Sequence, residues 1–149
     1  MKPIHFVMII IVVFMIALIG LNVMANRTTP TASTELASSN PVATGKALYA
    51  RHCAVCHGIN LEGQANWQTA LPNGSYPAPP HDASGHTWHH ADEYLIAVTL
   101  YGGAAVTGTP TNAMPAYQGI LSEADVRTIL AYIKSTWPEE IRAQQAELK

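Results

Sequence analysis

The sequence contains few charged residues and almost no cysteine. Only 12% of its 149 residues are Asp, Glu, Lys or Arg, and eight basic residues nearly balance ten acidic ones. No basic patch stands out along the chain, so nucleic acid is not an expected partner. The two cysteines share one short motif, which leaves none for a separate structural disulfide. No segment alternates apolar and polar residues as a strand would, and we therefore expect a small all-α fold.

The longest apolar stretch lies at the N-terminus. Residues 4–25 form an almost wholly apolar run of 22 residues, preceded by Lys2. This run exceeds the roughly 7–15 apolar residues of a signal peptide and reaches the about 20 residues that span a bilayer. We expect residues 1–26 to form an apolar membrane-anchor helix, with cleavage as a signal peptide after Ala25 as the alternative. Lys2 would stay in the cytoplasm. The rest of the chain would then lie on the periplasmic side, or be periplasmic or secreted after cleavage.

The remainder divides into a linker and one domain. Residues 27–40 are small, polar and unpatterned, which predicts a flexible linker. Residues 41–149 are expected to form the domain, with helices over 42–53, 91–101 and 122–137, and a possible further turn or two after residue 139. The third helix has the clearest signals, since Ser122 and Asp125 form a capping-box-like start and Pro138 ends the apolar periodicity.

The most specific motif is Cys53-Ala54-Val55-Cys56-His57. Its C-x-x-C-H spacing is typical of covalent haem attachment, with two thioethers to the porphyrin and the histidine beneath the iron. A thioredoxin-like dithiol would give His57 no role, and a structural zinc site would need four ligands. A disulfide across this short step would be strained. The motif occurs once, so one haem is expected.

A long loop follows the motif. Residues 58–90 comprise 33 residues rich in Gly, Pro and Asn. Such a loop is unusual in a compact domain unless something organises it. A buried haem would do so, and it would supply the core that short helices lack.

Met114 is the expected iron ligand opposite His57. The other four methionines lie in residues 1–24, whereas Met114 stands before Pro115 in a loop ahead of the last helix. The residue before a proline is disfavoured in a helix, which holds Met114 outside helical packing. A methionine filling a core gap is the structural alternative, and a histidine is the alternative ligand.

Together these segments resemble the class I cytochromes c over about residues 42–137. Gly45, Tyr49 and Cys53 are similar to the first helix of that family, residues 129–133 to its terminal helix, and residues 114–117 to its axial-methionine loop. The resemblance implies three to four helices wrapped around one covalently bound haem c.

The resemblance also implies individual roles. Cys53 and Cys56 would hold the haem, and His57 and Met114 would bind the iron. In the family a proline carbonyl after the haem motif accepts a hydrogen bond from the axial imidazole, a part that Pro79 or Pro80 could play. The chain looks most like bacterial membrane-associated or periplasmic monohaem cytochromes with segments like residues 76–80 and 85–90.

Four histidines within ten residues depart from the family pattern: His81, His86, His89 and His90. His86 with His89 or His90 could bind copper or zinc. Alternatively, N–H groups of histidine and Trp88 could contact the haem propionates, with the other histidines on the surface. We favour the second interpretation, because no cysteine or carboxylate cluster completes a second metal site.

The resemblance implies an electron carrier, not an enzyme. A haem bound by His and Met has no open position for substrate and exchanges one electron with little rearrangement. Expected partners are a respiratory dehydrogenase or cytochrome complex as donor and an oxidase or reductase as acceptor. Two alternatives remain: a haem enzyme or sensor with an open sixth position, and a fixed haem subunit of a larger redox complex.

Overall fold

Residues 40–148 are described by a computed structural model, and this part of the chain is helical. Its helices are α1 (Pro41–His52), α2 (Ala54–His57), α3 (Asp92–Tyr101), α4 (Gly103–Thr107), α5 (Glu123–Ser135) and α6 (Glu139–Ala146), with a 3₁₀ turn at Thr87–His89. Within this range there is no β-strand, only an isolated bridge between Gln118 and Leu121. The expected all-α class is confirmed for the described residues. The helices outnumber the three to four expected because α2 and α4 are too short to produce a periodic pattern.

The predicted N-terminal apolar helix lies outside the described residues, as does the predicted linker except for Asn40. Among residues 40–148, no helix combines the length and the apolar character needed to cross a membrane.

Side-chain caps set where the two longest helices begin. The Asn40 side chain accepts a hydrogen bond from the Ala43 N–H at 3.1 Å, ahead of α1. At α5 the predicted capping box is present, with Ser122 and Asp125 each accepting from the other's backbone N–H, at 3.1 and 2.9 Å. The helix ends at Ser135, two residues before the predicted end, because the N–H groups of Thr136 and Trp137 bond to carbonyls only three residues back.

Helices α1 and α5 cross closely at Gly45. A Cβ atom at this position would overlap the backbone carbonyl oxygen of Thr128 on α5. The close approach brings the Tyr49 and Tyr132 rings to 5.6 Å between centroids. Among the described residues, α5 contributes more buried apolar side chains to the core than any other helix: Val126, Ile129, Leu130, Tyr132 and Ile133.

A polar network joins α3, α5 and α6. Asp92, at the start of α3, accepts hydrogen bonds from Lys134 at 2.5 Å and from Gln145 at 2.7 Å. Burial acts to raise the pKa of the Asp92 carboxyl, but the bonds from Lys134 and Gln145 outweigh it and lower that pKa. Gln145 also donates to the carbonyl of His90 at 3.1 Å. The network therefore ties α6 to the histidine-rich segment.

Backbone hydrogen bonds organise the long loop. The Gly63 N–H donates to the His57 carbonyl, and the His81 N–H donates to the Leu61 carbonyl, both at 2.8 Å. Leu61 itself is almost fully buried and has a positive φ of 70°. The loop thus folds back on the end of α2, and its far part returns beside the haem motif.

Substitution of Gly45 by alanine tests the helix crossing. In an exposed helix this change would stabilise by about 1 kcal/mol. At Gly45 we expect a loss of about 1–3 kcal/mol in the free energy of unfolding, because the added methyl group must push α5 away. The measurement is guanidinium unfolding of the haem-loaded protein. Lys46→Ala, at the next and exposed position, should change stability by less than about 0.5 kcal/mol. A Gly45→Ala protein as stable as the wild type would contradict the close crossing.

Candidate functional site

The C-x-x-C-H motif spans the junction of α1 and α2. Cys53 caps α1, and the His57 N–H donates to the Cys53 carbonyl at 3.0 Å, which closes one helical turn. Cys53 is partly buried and Cys56 is exposed, and both thiols are free. Burial, with a smaller effect of Cys56, raises the pKa of the Cys53 thiol to about 11. Three residues apart on one helical turn, the two sulfurs lie on the same side of the chain.

His57 is buried and hydrogen-bonded through its Nδ1 atom. Its side chain is only 8% exposed, and its Nδ1–H donates to the Pro79 carbonyl at 2.8 Å. Burial lowers the pKa of His57, and the bond to Pro79 opposes this effect. The imidazole is therefore neutral, with its proton on Nδ1 and a lone pair on Nε2. These groups fit a c-type haem, since a free imidazole nitrogen lies next to two free thiols.

Of the two candidate prolines, Pro79 carries the accepting carbonyl. The Pro80 carbonyl instead lies 3.5 Å from the Thr87 hydroxyl. It also lies so close to Gly85 that a Cβ there would overlap its oxygen. Pro80 therefore closes the turn that leads to the histidine-rich segment.

His81 stands apart from the other three histidines of the segment. Its ring lies against that of His57, with the centroids 4.0 Å apart and the planes 25° from parallel. Two imidazoles bound on opposite sides of one iron meet end to end, not face to face. The stacked arrangement therefore excludes His81 as the ligand opposite His57 in this structure.

The remaining histidines stack on aromatic rings. His86 lies on Trp67 at 5.3 Å, His89 on Trp88 at 3.6 Å, and His90 on Tyr94 at 4.5 Å between ring centroids. Among residues 40–148, no group of three or more His, Cys, Asp or Glu side chains is arranged to hold a metal ion. The indole N–H of Trp88 donates to the Gly85 carbonyl at 3.1 Å.

Met114 lies in the loop between α4 and α5 and is partly buried. Its carbonyl accepts from the Gly103 N–H at 2.9 Å, and its N–H donates to the Asn112 side chain at 3.2 Å. Three residues later, the Tyr117 hydroxyl donates to the His52 carbonyl at 2.6 Å. The methionine loop is therefore bonded to the end of α1, directly before Cys53.

Two tyrosines have structural roles that sequence reasoning missed. Besides Tyr117, Tyr49 donates through its hydroxyl to the carbonyls of His57 and Gly58, at 3.2 and 2.9 Å. Burial is the main reason that the pKa values of both phenols are raised. Tyr49 lies two turns before His57, and the family resemblance placed it on the first helix without indicating what its hydroxyl would bond.

The chain matches the family model described as Cytochrome c over residues 42–137. No curated protein and no solved structure matches it.

Removal of the Tyr49 hydroxyl tests how His57 is supported. Tyr49→Phe leaves the carbonyls of His57 and Gly58 without this donor in a buried setting. We expect a loss of about 1–3 kcal/mol in the free energy of unfolding of the haem-loaded protein. Tyr132→Phe is the matched control, because the Tyr132 hydroxyl has no hydrogen-bond partner among the described residues. Equal effects of the two substitutions would refute a specific role for the Tyr49 hydroxyl.

Proposed function

The chain belongs to the cytochrome c family, and from that membership we propose that it is a one-electron carrier and not an enzyme. The family domain carries covalently bound haem c, typically a single one. The bound haem supplies a change of iron oxidation state by one electron. The polypeptide holds the group, orients its ligands and keeps water away from them.

We propose Cys53 and Cys56 as the attachment residues and His57 as the proximal iron ligand. The observation that carries this assignment is the hydrogen bond between His57 Nδ1 and Pro79. It leaves Nε2 as the free ligand atom on the residue that directly follows Cys56. Such a bond fixes the tautomer of a metal-binding histidine, directs its Nδ1–H and increases its basicity.

We propose Met114 as the opposite ligand. It is the single methionine after residue 24, and the bond from Tyr117 to His52 anchors its loop beside the haem motif. With both His57 and Met114 bound, the iron would have no open position for peroxide, oxygen or substrate. This favours the carrier over a haem enzyme or sensor. Pro80 and Trp88 are proposed as further contacts of the haem pocket.

Replacement of Met114 tests the ligand and the function together. The oxidised wild type should be low-spin with the weak far-red absorption band of a sulfur–iron bond. Met114→Ala should abolish that band and lower the midpoint potential, because a thioether ligand favours Fe(II). Absorption spectra with a redox titration provide both readings.

The control for this experiment is Gln118→Ala, an exposed position in the same loop, which should keep the band. A band that survives in Met114→Ala would contradict the ligand assignment. A high-spin iron in the resting wild type would favour the haem enzyme or sensor.

We propose that the partners are redox proteins outside the cytoplasm. The apolar run of residues 4–25 supports attachment to the cell membrane with the haem domain on the periplasmic side. A respiratory dehydrogenase or cytochrome complex would be the donor and an oxidase or reductase the acceptor. Complexes of this kind have small, transient interfaces.

The methionine side of the domain is the proposed docking face. Residues 94–122 contain no Asp, Glu, Lys, Arg or His. Ile120 in this range is 64% exposed, and Val55 in the haem motif is 85% exposed. Tyr117 links the two segments through its bond to the carbonyl before Cys53. Because residues 94–122 contribute no charge to this face, we propose apolar docking, in which long-range steering contributes little.

Oxidation of the reduced protein by ferricyanide, a small anion, tests this docking face. We expect the second-order rate constant of the wild type to depend weakly on ionic strength. Ile120→Lys should raise it at low ionic strength, and the gain should disappear as salt screens the new charge. Gln144→Lys, which adds the same charge on α6, should leave the rate near that of the wild type. Equal acceleration in the two variants would refute electron transfer through the face around Ile120.

A further inference from the structure

The face-to-face contact of His81 with His57 has no part in the function proposed above. Histidine is an unusual choice for this contact, because two protonated imidazoles would repel each other. The two rings nevertheless lie face to face, with their centroids 4.0 Å apart and their planes 25° from parallel. The stack covers one face of the imidazole whose Nδ1 is bonded to Pro79.

His81 is itself held from several sides. Its backbone N–H donates to the Leu61 carbonyl at 2.8 Å, and its carbonyl accepts from the indole N–H of Trp137 at 2.8 Å. Its ring Nδ1 shares a hydrogen bond of 2.8 Å with the hydroxyl of Thr87, which is 4% exposed. The Tyr49 ring meets it edge-on, with centroids 6.0 Å apart. The 58–90 loop with its 3₁₀ turn, α1 and the segment between α5 and α6 therefore fix the position of one flat ring.

We propose that His81 is a positioning residue that sets the plane of the His57 imidazole. The proposal rests on the assignment of His57 as the proximal ligand. The bond to Pro79 directs the Nδ1–H of His57, but a tilt of the ring plane about the line of that bond would leave the bond intact. A flat ring stacked against the face opposes this tilt. The plane of an axial imidazole determines which iron d orbitals it overlaps, so the stack acts on the electronic state of the iron.

A measurement on the wild type tests the contact without any substitution. In the reduced, low-spin protein, ring protons of His57 and His81 should give direct nuclear Overhauser effects. Their absence would overturn the proposal. If the reduced iron proves high-spin, the carrier assignment fails. In that case the Overhauser effects between His57 and His81 are measured on the diamagnetic carbon monoxide adduct. Failure of the carrier assignment can thus be distinguished from failure of the contact between the two rings.

Two substitutions test whether the flat ring is what matters. His81→Leu keeps an apolar side chain but loses the planar face, and His81→Phe keeps the planar face without ring nitrogens. We expect His81→Leu to shift the electron paramagnetic resonance g values of the oxidised protein and the midpoint potential. His81→Phe should restore the g values toward those of the wild type. His90→Leu, which removes a histidine stacked on Tyr94 instead, should leave the g values unchanged.

The outcomes separate positioning from general packing. Wild-type g values in His81→Leu would overturn the proposal, as would g values in His81→Phe that are no closer to the wild type than those of His81→Leu. Both variants are compared only as haem-loaded protein that retains the far-red band. If neither variant binds haem, the Overhauser measurement on the wild type decides alone.

Discussion

The close approach of α1 to α5 at Gly45 is the contact on which the rest of the domain depends. Because no side chain separates the helices there, the Thr128 carbonyl reaches the backbone of α1 and Tyr49 packs against Tyr132. One turn later, the Tyr49 hydroxyl binds the carbonyls of His57 and Gly58. A steric constraint at one glycine is thereby transmitted along α1 to the residue proposed to bind iron.

Burial favours the neutral form of three of the four histidines in residues 81–90. Burial lowers the pKa of His81, His86 and His90, and that of His57 nearby. Each ring then takes a different partner: His57 bonds to a proline carbonyl, His81 to a hydroxyl, and His86 and His90 stack on aromatic rings. A segment that looks like one cluster in the sequence is therefore divided among several local tasks.

Charge is concentrated away from the methionine loop. The partly buried pair of Asp92 and Lys134, joined by Gln145, fastens α6 over the histidine-rich segment. By contrast, residues 94–122 carry no charge. The strong, directional polar contacts thus lie where α3, α5 and α6 meet. This separation leaves the proposed docking face without charged side chains from residues 94–122.

Local signals in the sequence determined the helical class, the capping box at Ser122 and the position of the haem motif. Caps and one-turn motifs can be recognised in this way because their residues lie within four positions of each other in the sequence. The choice of Pro79 over Pro80 and the separation of His81 from His86 could not be predicted, since both depend on how the 58–90 loop returns to α2. The bonds that decide them join residues 20 or more positions apart, such as His57 with Pro79 and His81 with Leu61. Contacts of that span leave no periodic or spacing signal, and only the tertiary structure brings their partners together.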